Sequence, residues 1–309
     1  MSDDDVLLTV GPSRVVISLN GPGKKFYGAM FEFCKKLTTF EYNHRFKRYV
    51  KDREYYIYDK DTKSFIIPIQ YLTQVKDMFA SKWVTPKVVD AEGYRARCIA
   101  GVLNPDFLIR DYQAEAIKYI NDGKGGRKGL SLQTGKGKTF TAVAAALDRG
   151  LATLIIASGL TTQWIKAIHE QTLIVHNLGI GEEYEELLMD YGVMKRKDGE
   201  KTTKPKKLGD FIKRSNAMVG SDIYIVQGFE SLMNLFDSGM RPKFIFASLE
   251  TLRAYAKGGG NYEDLPTYRD FLKFYGIGTR ITDESHLNFH TNVMLDLYGN
   301  VPLNLYLTA

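Results

Sequence analysis

Apolar positions follow two different rhythms along this chain. Up to about residue 85 they come in short β-branched and aromatic runs, such as residues 14–20, which end at Gly21, Pro22 and Gly23. Phe26, Met30, Phe33 and Leu37 recur at helical spacing, so residues 26–37 are expected to form a helix with one apolar face. Residues 54–58 and 64–69 read as the arms of a hairpin around the polar turn 59–63, and residues 71–79 as a short amphipathic helix. This predicts a small basic α/β domain over residues 1–85. Residues 86–105 read as a connector.

From residue 106 the rhythm is a regular alternation of strand and helix. Strands are expected over 129–133, 151–157, 223–227, 244–247, 280–283 and 304–308. Residues 138–149 form the clearest helix, with Phe140, Val143, Ala144 and Leu147 on one face and Gly150 as its stop. Such alternation builds a doubly wound parallel sheet with helices on both faces. One long interruption, about 176–220, opens with the acidic helical stretch EEYEELL and runs into the Lys-rich tract MKRKDGEKTTKPKK, which is expected to be an exposed insertion.

Composition narrows the class. With 309 residues and 44% hydrophobic content the chain has material for a large packed domain and a smaller one. No apolar run is long enough to span a bilayer, and the acidic N-terminus is unlike a secretory signal, so a cytoplasmic protein without membrane contact is expected. Cys34 and Cys98 stand alone without metal-ligand spacing, which argues against a disulfide framework and a structural zinc site. The net charge of +6 favours a polyanionic partner.

The sharpest chemical signal is LQTGKGKT, residues 132–139, placed between an expected strand and an expected helix. Thr134, Gly135, Lys136, Gly137, Lys138 and Thr139 form a phosphate loop in this reading. The glycines let backbone N–H groups turn toward phosphate, and the helix N-terminus adds partial positive charge. Lys138 reaches the β- and γ-phosphates, and Thr139 holds magnesium. Leu132 stands where the strict GxxxxGKT pattern has glycine. The implied cofactors are ATP and Mg2+. Their chemistry needs a carboxylate for the metal and a second one for the attacking water, and ITDESH supplies both. Asp283 at the end of a strand is the expected metal ligand and partner of Lys138. Glu284 is expected to position water, and His286 to sense the γ-phosphate state.

In this order the segments resemble the DExH class of superfamily 2 helicases, and that resemblance implies a RecA-like motor fold for 106–309. RDYQ, with Arg110 and Gln113, is similar to the adenine-recognising segment of that class, which would put Gln113 on the base. LIIASGLTTQW resembles the first strand-contacting motif, implying phosphate contacts from Thr161, Thr162 and Gln163, and ASLETL the second, implying Ser248. YLTA resembles the coupling motif, with Thr308 at its centre. The N-terminal part is similar to the small domain of UvsW-type helicases of T-even-like phages. That implies ATP-driven remodelling of branched or single-stranded DNA and RNA–DNA hybrids in recombination, repair and replication. The same resemblance implies a second RecA-like domain in cis carrying arginine fingers, which these 309 residues do not include, so the chain alone is expected to unwind nothing.

Nucleic-acid contacts have two further candidates. Arg45, Lys47, Arg48, Lys51 and Arg53 interleave with Phe46, Tyr49, Tyr55 and Tyr56; the alternative is a solvated basic rim over an aromatic core. Lys195, Arg196, Lys197, Lys201, Lys204, Lys206 and Lys207 form the second cluster, for which a merely solubilising loop is the alternative. Thr161 has a competing role as a helix cap, and Trp164 reads as a core residue. His44, His169, His176 and His290 have no ligand spacing and are assigned no function. A DNA-binding or annealing module with a vestigial nucleotide site is the rival reading. A metabolic P-loop phosphotransferase fits less well, because TTQW and LTA would then have no purpose.

Overall fold

The computed structural model describes residues 5–93, 95–123, 126–157, 161–172, 181–192, 208–218, 222–256 and 267–308. It falls into two compact units. One comprises Met1–Tyr94 with Asn288–Pro302, the other Arg95–Leu287 with Leu303–Ala309.

In the first unit, strands β1 (Val6–Val10), β2 (Arg14–Leu19), β5 (Ile57–Asp59), β6 (Ser64–Pro68) and β7 (Lys87–Asp90) form a sheet in the order β5-β6-β2-β1-β7. Helices α1 (Tyr27–Lys35) and α2 (Leu72–Ala80) supply the rest of its core. The expected helical face is fully used, since Phe26, Met30, Phe33 and Leu37 are all buried with Leu8, Ile17, Phe65 and Phe79. The expected hairpin also forms, β5 pairing antiparallel with β6 through Tyr58 and Phe65, but Glu54 belongs to a different strand. That strand, β4 (Arg48–Glu54), pairs with β3 (Thr38–Asn43) as a separate two-stranded hairpin. Its faces are mostly polar or exposed, so no clean alternation of apolar residues announces it. Residues 87–90, read from sequence as connector, complete the first sheet by pairing in parallel with β1. A helix over Phe289–Gly299 also belongs to this unit.

The second unit has the RecA-like α/β architecture. Strands β8 (Gly126–Ser131), β9 (Thr153–Ile156), β10 (Ile223–Val226), β11 (Phe244–Ala247), β12 (Thr279–Thr282) and β13 (Leu303–Thr308) make a wholly parallel sheet, ordered β10-β11-β9-β12-β13-β8. Each central strand is buried along its length, as parallel strands covered on both faces must be. The flanking helices are α3 (Asp111–Asn121), α4 (Lys138–Arg149), α5 (Thr161–Gln171), α6 (Gly181–Asp190), α7 (Leu208–Ala217), α8 (Gly228–Asp237), α9 (Leu249–Ala256) and α10 (Tyr268–Tyr275). On α4 the whole expected apolar face, Phe140, Val143, Ala144 and Leu147, is buried.

The 176–220 interval is more than an exposed insertion. Tyr184, Leu187 and Leu188 of α6 and Phe211 and Ile212 of α7 join the main core with Val143, Ile155 and Ile225. The amphipathic period of EEYEELL, masked by its charge, is what buries it. The Lys-rich tract between these helices, with its cluster from Lys195 to Lys207, lies outside the described residues, as does His176.

Candidate nucleotide site

Strand order decides where the chemistry meets. The loop that follows β8 and the acidic segment that follows β12 both leave the sheet at its carboxyl edge, with β13 between them. Two strand spacings of about 4.8 Å separate them, room for a phosphate and a cation and within reach of a lysine side chain.

Leu132 and Gln133, expected in the strand, are already in the loop. Gly135 and Gly137 hold left-handed backbone, φ 80° and 79°, and Gly137 caps α4, whose first residue is Lys138. Any side chain at position 137 is strained by that φ and collides with the Gln113 amide. Tyr112 and Gln113 hold the loop from outside: the Tyr112 hydroxyl donates to the Lys136 carbonyl at 2.9 Å, and Gln113 Nε2 donates to the same oxygen at 3.4 Å. Gln113 Oε1 accepts the Arg110 backbone N–H at 3.0 Å at the start of α3, and the Gln113 backbone N–H donates to the Arg110 carbonyl at 2.9 Å. Both ends of the Gln113 amide are thus engaged within the chain, the residue is buried, and neither it nor Arg110 lines the cleft.

Lys138 crosses to the acidic pair. Its Nζ lies 3.2 Å from Asp283 Oδ1 and 2.5 Å from Glu284 Oε1. Burial works against the ammonium, but hydrogen bonding and charge from Glu284 and Asp283 outweigh it, so the Lys138 pKa stands above the ordinary lysine value. Asp283 Oδ1 also accepts the Glu284 backbone N–H at 3.0 Å, and Oδ2 accepts the indole N–H of Trp164 at 3.1 Å. Glu284 sits at φ 45°, a left-handed conformation uncommon for a residue with a side chain and typical of sites where geometry is imposed. His286 Nδ1 shares a hydrogen bond with Thr308 Oγ1 at 2.9 Å and lies 3.6 Å from Glu284 Oε2. The Ser285 hydroxyl donates to the Leu307 carbonyl at 3.1 Å, a second tie to β13.

The resulting cleft has a volume of about 440 Å³ and is lined by Thr134, Gly135, Gly137, Lys138, Thr139, Asp283 and Glu284, with Gln163, Lys166 and Glu170 from α5 on another wall. The size is that of a small-ligand site. Among the described residues no group of three or more His, Cys, Asp or Glu could hold a metal by itself. Magnesium takes one or two carboxylates and shares its other positions with phosphate and water. Thr139 and Asp283 both line the cleft, and a hydroxyl and a carboxylate there have the donor chemistry for that role.

Other expected residues lie elsewhere. Thr161 and Thr162 begin α5 beside Gln163, which does line the cleft. Ser248 caps α9, its Oγ accepting the Thr251 backbone N–H at 3.1 Å. Arg45, Lys47 and Arg48 are exposed on the β3–β4 hairpin of the first unit, with Arg45 and Arg48 over the Phe46 ring at 5.6 and 5.8 Å. Sequence reading missed the loop clamp by Tyr112, the indole bond of Trp164 and the α5 wall, because each depends on which helix faces the loop.

The fold is therefore that of a RecA-like α/β domain with a small sheet domain at its N-terminal side. No protein-family profile and no curated protein sequence matches the chain. Among solved structures it is similar to the crystal structure of the UvsW helicase from bacteriophage T4, at 13% identity and a TM-score of 0.49 over 98% of this chain and 91% of that one. At that identity and score the likeness decides nothing about chemistry. No helix among the described residues is long and apolar enough to cross a membrane.

Proposed function

We propose that this chain is the ATP-binding part of a superfamily 2 nucleic-acid motor, a helicase or translocase that remodels branched DNA or R-loops. The observation that carries the reading is the bridge from Lys138, at the start of α4, to Asp283 and Glu284, which directly follow β12 and lie far away in sequence. A glycine turn that only caps a helix needs no such partner.

In this reading the Gly135–Thr139 backbone and Lys138 hold a triphosphate, and Thr139 and Asp283 hold magnesium. The metal, when bound, neutralises charge that develops on the phosphate oxygens. Glu284 aligns water, and the hydrogen bond between His286 and Thr308 ties the acidic segment to β13, the strand that carries the coupling motif. Thr161, Thr162, Gln163 and Ser248 are assigned to strand contacts from the helical starts after β9 and β11. Gln113 serves the base only after releasing the loop that its amide supports. The family resemblance adds DNA in branched or single-stranded form, RNA–DNA hybrids, and a second RecA-like domain acting in cis.

Lys138→Ala and Glu284→Gln test the reading. In a protein that also carries the second RecA-like domain, each should lower DNA-stimulated ATP hydrolysis by about a hundredfold or more, the usual loss when one charge-stabilising group is removed, while the fold survives. Turnover equal to wild type in both variants would exclude the motor. The exposed basic hairpin favours one other reading, an annealing module with a vestigial nucleotide site. That reading expects Lys138→Ala to leave DNA annealing and biological function intact.

A further inference from the structure

The two oxygens of Asp283 are treated differently. Oδ1 faces Lys138 and the Glu284 backbone N–H, whereas Oδ2 accepts the Trp164 indole N–H at 3.1 Å. Both residues are buried, Asp283 at 8% and Trp164 at 1% exposure. An indole N–H donates, never accepts and carries no charge at any ordinary pH, so it fixes the plane of a carboxylate without competing with a cation for it. Packing alone does not require this donor. Trp164 belongs to the main core cluster that also holds Val143, Ile155 and Ile168, where a phenyl ring would supply apolar surface as well. Its position on α5 adds a second link, because the same first turn carries Thr161, Thr162 and Gln163.

We propose that Trp164 is a positioning residue: its indole N–H orients Asp283 for a divalent cation and ties that orientation to the first turn of α5. The proposal rests on the nucleotide reading above and extends it to a residue outside the cleft lining. A strand engaging the start of α5 would then be felt at the metal-binding carboxylate through one hydrogen bond, without passing through the phosphate loop.

The test compares wild type with Trp164→Phe, which keeps an aromatic ring and deletes the donor. A fluorescent ATP analogue is titrated in EDTA and at graded Mg2+. The expected result is unchanged affinity in EDTA and an apparent Mg2+ affinity about tenfold weaker in the variant, the usual scale for loss of a partner behind a metal ligand. In an Asp283→Ala background the tryptophan substitution should add nothing further. A folded Trp164→Phe protein with the Mg2+ dependence of wild type overturns the proposal and leaves the nucleotide reading standing. Wild type without any Mg2+-dependent binding sinks the nucleotide reading and this role with it. Should Trp164→Phe not fold, the exposed Trp83 is replaced by Phe, leaving Trp164 as the only indole, since the sequence has 2 tryptophans. Its emission should then shift when Mg2+ joins bound nucleotide, and an emission blind to Mg2+ overturns the proposal.

Discussion

At the residue scale, burial gives identical side chains opposite chemistry. Cys34 lies in the core of the first unit, where burial first, and then the nearby Glu54 charge, push its thiol up to about 12, while Cys98 is exposed. Only the thiolate is nucleophilic, so Cys34 stays inert at neutral pH. A disulfide reagent at pH 8 should modify one thiol in the native protein, Cys98, and both in denaturant. The folded state disfavours the Cys34 thiolate, so folding stability should fall as pH rises above the ordinary thiol value toward about 12. Rapid native labelling of Cys34, read by peptide mass, would contradict the buried assignment. Lys138 is the contrasting case: the sequence spacing made it a phosphate lysine, but only coordinates could reveal that two carboxylates, not one, engage it.

At the element scale, several ends are fixed by residues remote in sequence. The helix Phe289–Gly299 ends on Asn300 in left-handed backbone, and Arg14 of β2 donates to the carbonyls of Leu297 and, at 3.2 Å, Tyr298. Ser13 Oγ adds a bond to the Asp296 carbonyl at 3.2 Å. A guanidinium at a helix C-terminus satisfies unpaired carbonyls and complements the helix dipole. Because Arg14 is buried, Arg14→Ala should cost about 2 kcal/mol, the scale of a charged hydrogen bond left unmade. Urea denaturation followed by far-UV circular dichroism checks this, and Arg14→Lys should recover only part of the loss, having no planar fork. From sequence, Arg14 was simply the first residue of a β-branched run.

At the scale of the whole molecule, the net charge is +6, and part of the positive charge is grouped on one hairpin of the first unit. On the β3–β4 hairpin, residues 43–51 carry Arg45, Lys47, Arg48 and Lys51 and no acidic residue. Phe46, Tyr49 and Tyr42 stay 58%, 71% and 41% exposed there, so these rings are surface and not the core that sequence left as the alternative. Tyr55 and Tyr56 of the same run do pack against the core. Cations beside exposed rings suit a nucleic-acid strand. Replacing Arg45, Lys47 and Arg48 together by Ala should weaken single-stranded DNA binding and flatten its log affinity against log salt by about 0.7 for each phosphate no longer neutralised. Thermal stability should hardly change, since none of the three is buried. An unchanged salt slope would remove the hairpin from the binding surface.

Sequence alone determined what local periodicity and local chemistry encode. The strand-helix alternation, the apolar faces of 26–37 and 138–149, the glycine turns of 132–139 and the acidic pair at 283–284 were all legible, because each is set by neighbours a few residues away. Tertiary structure decided the rest. It placed β13 between the loop strand and the acidic strand, drew α6 and α7 into the core, and gave residues 87–90 and 289–299 to the first unit. It aimed the Trp164 indole at Asp283 and turned Gln113 onto the loop. None of these follows from spacing, because hydrogen-bond direction and strand order are settled only when distant segments compete for the same buried surface.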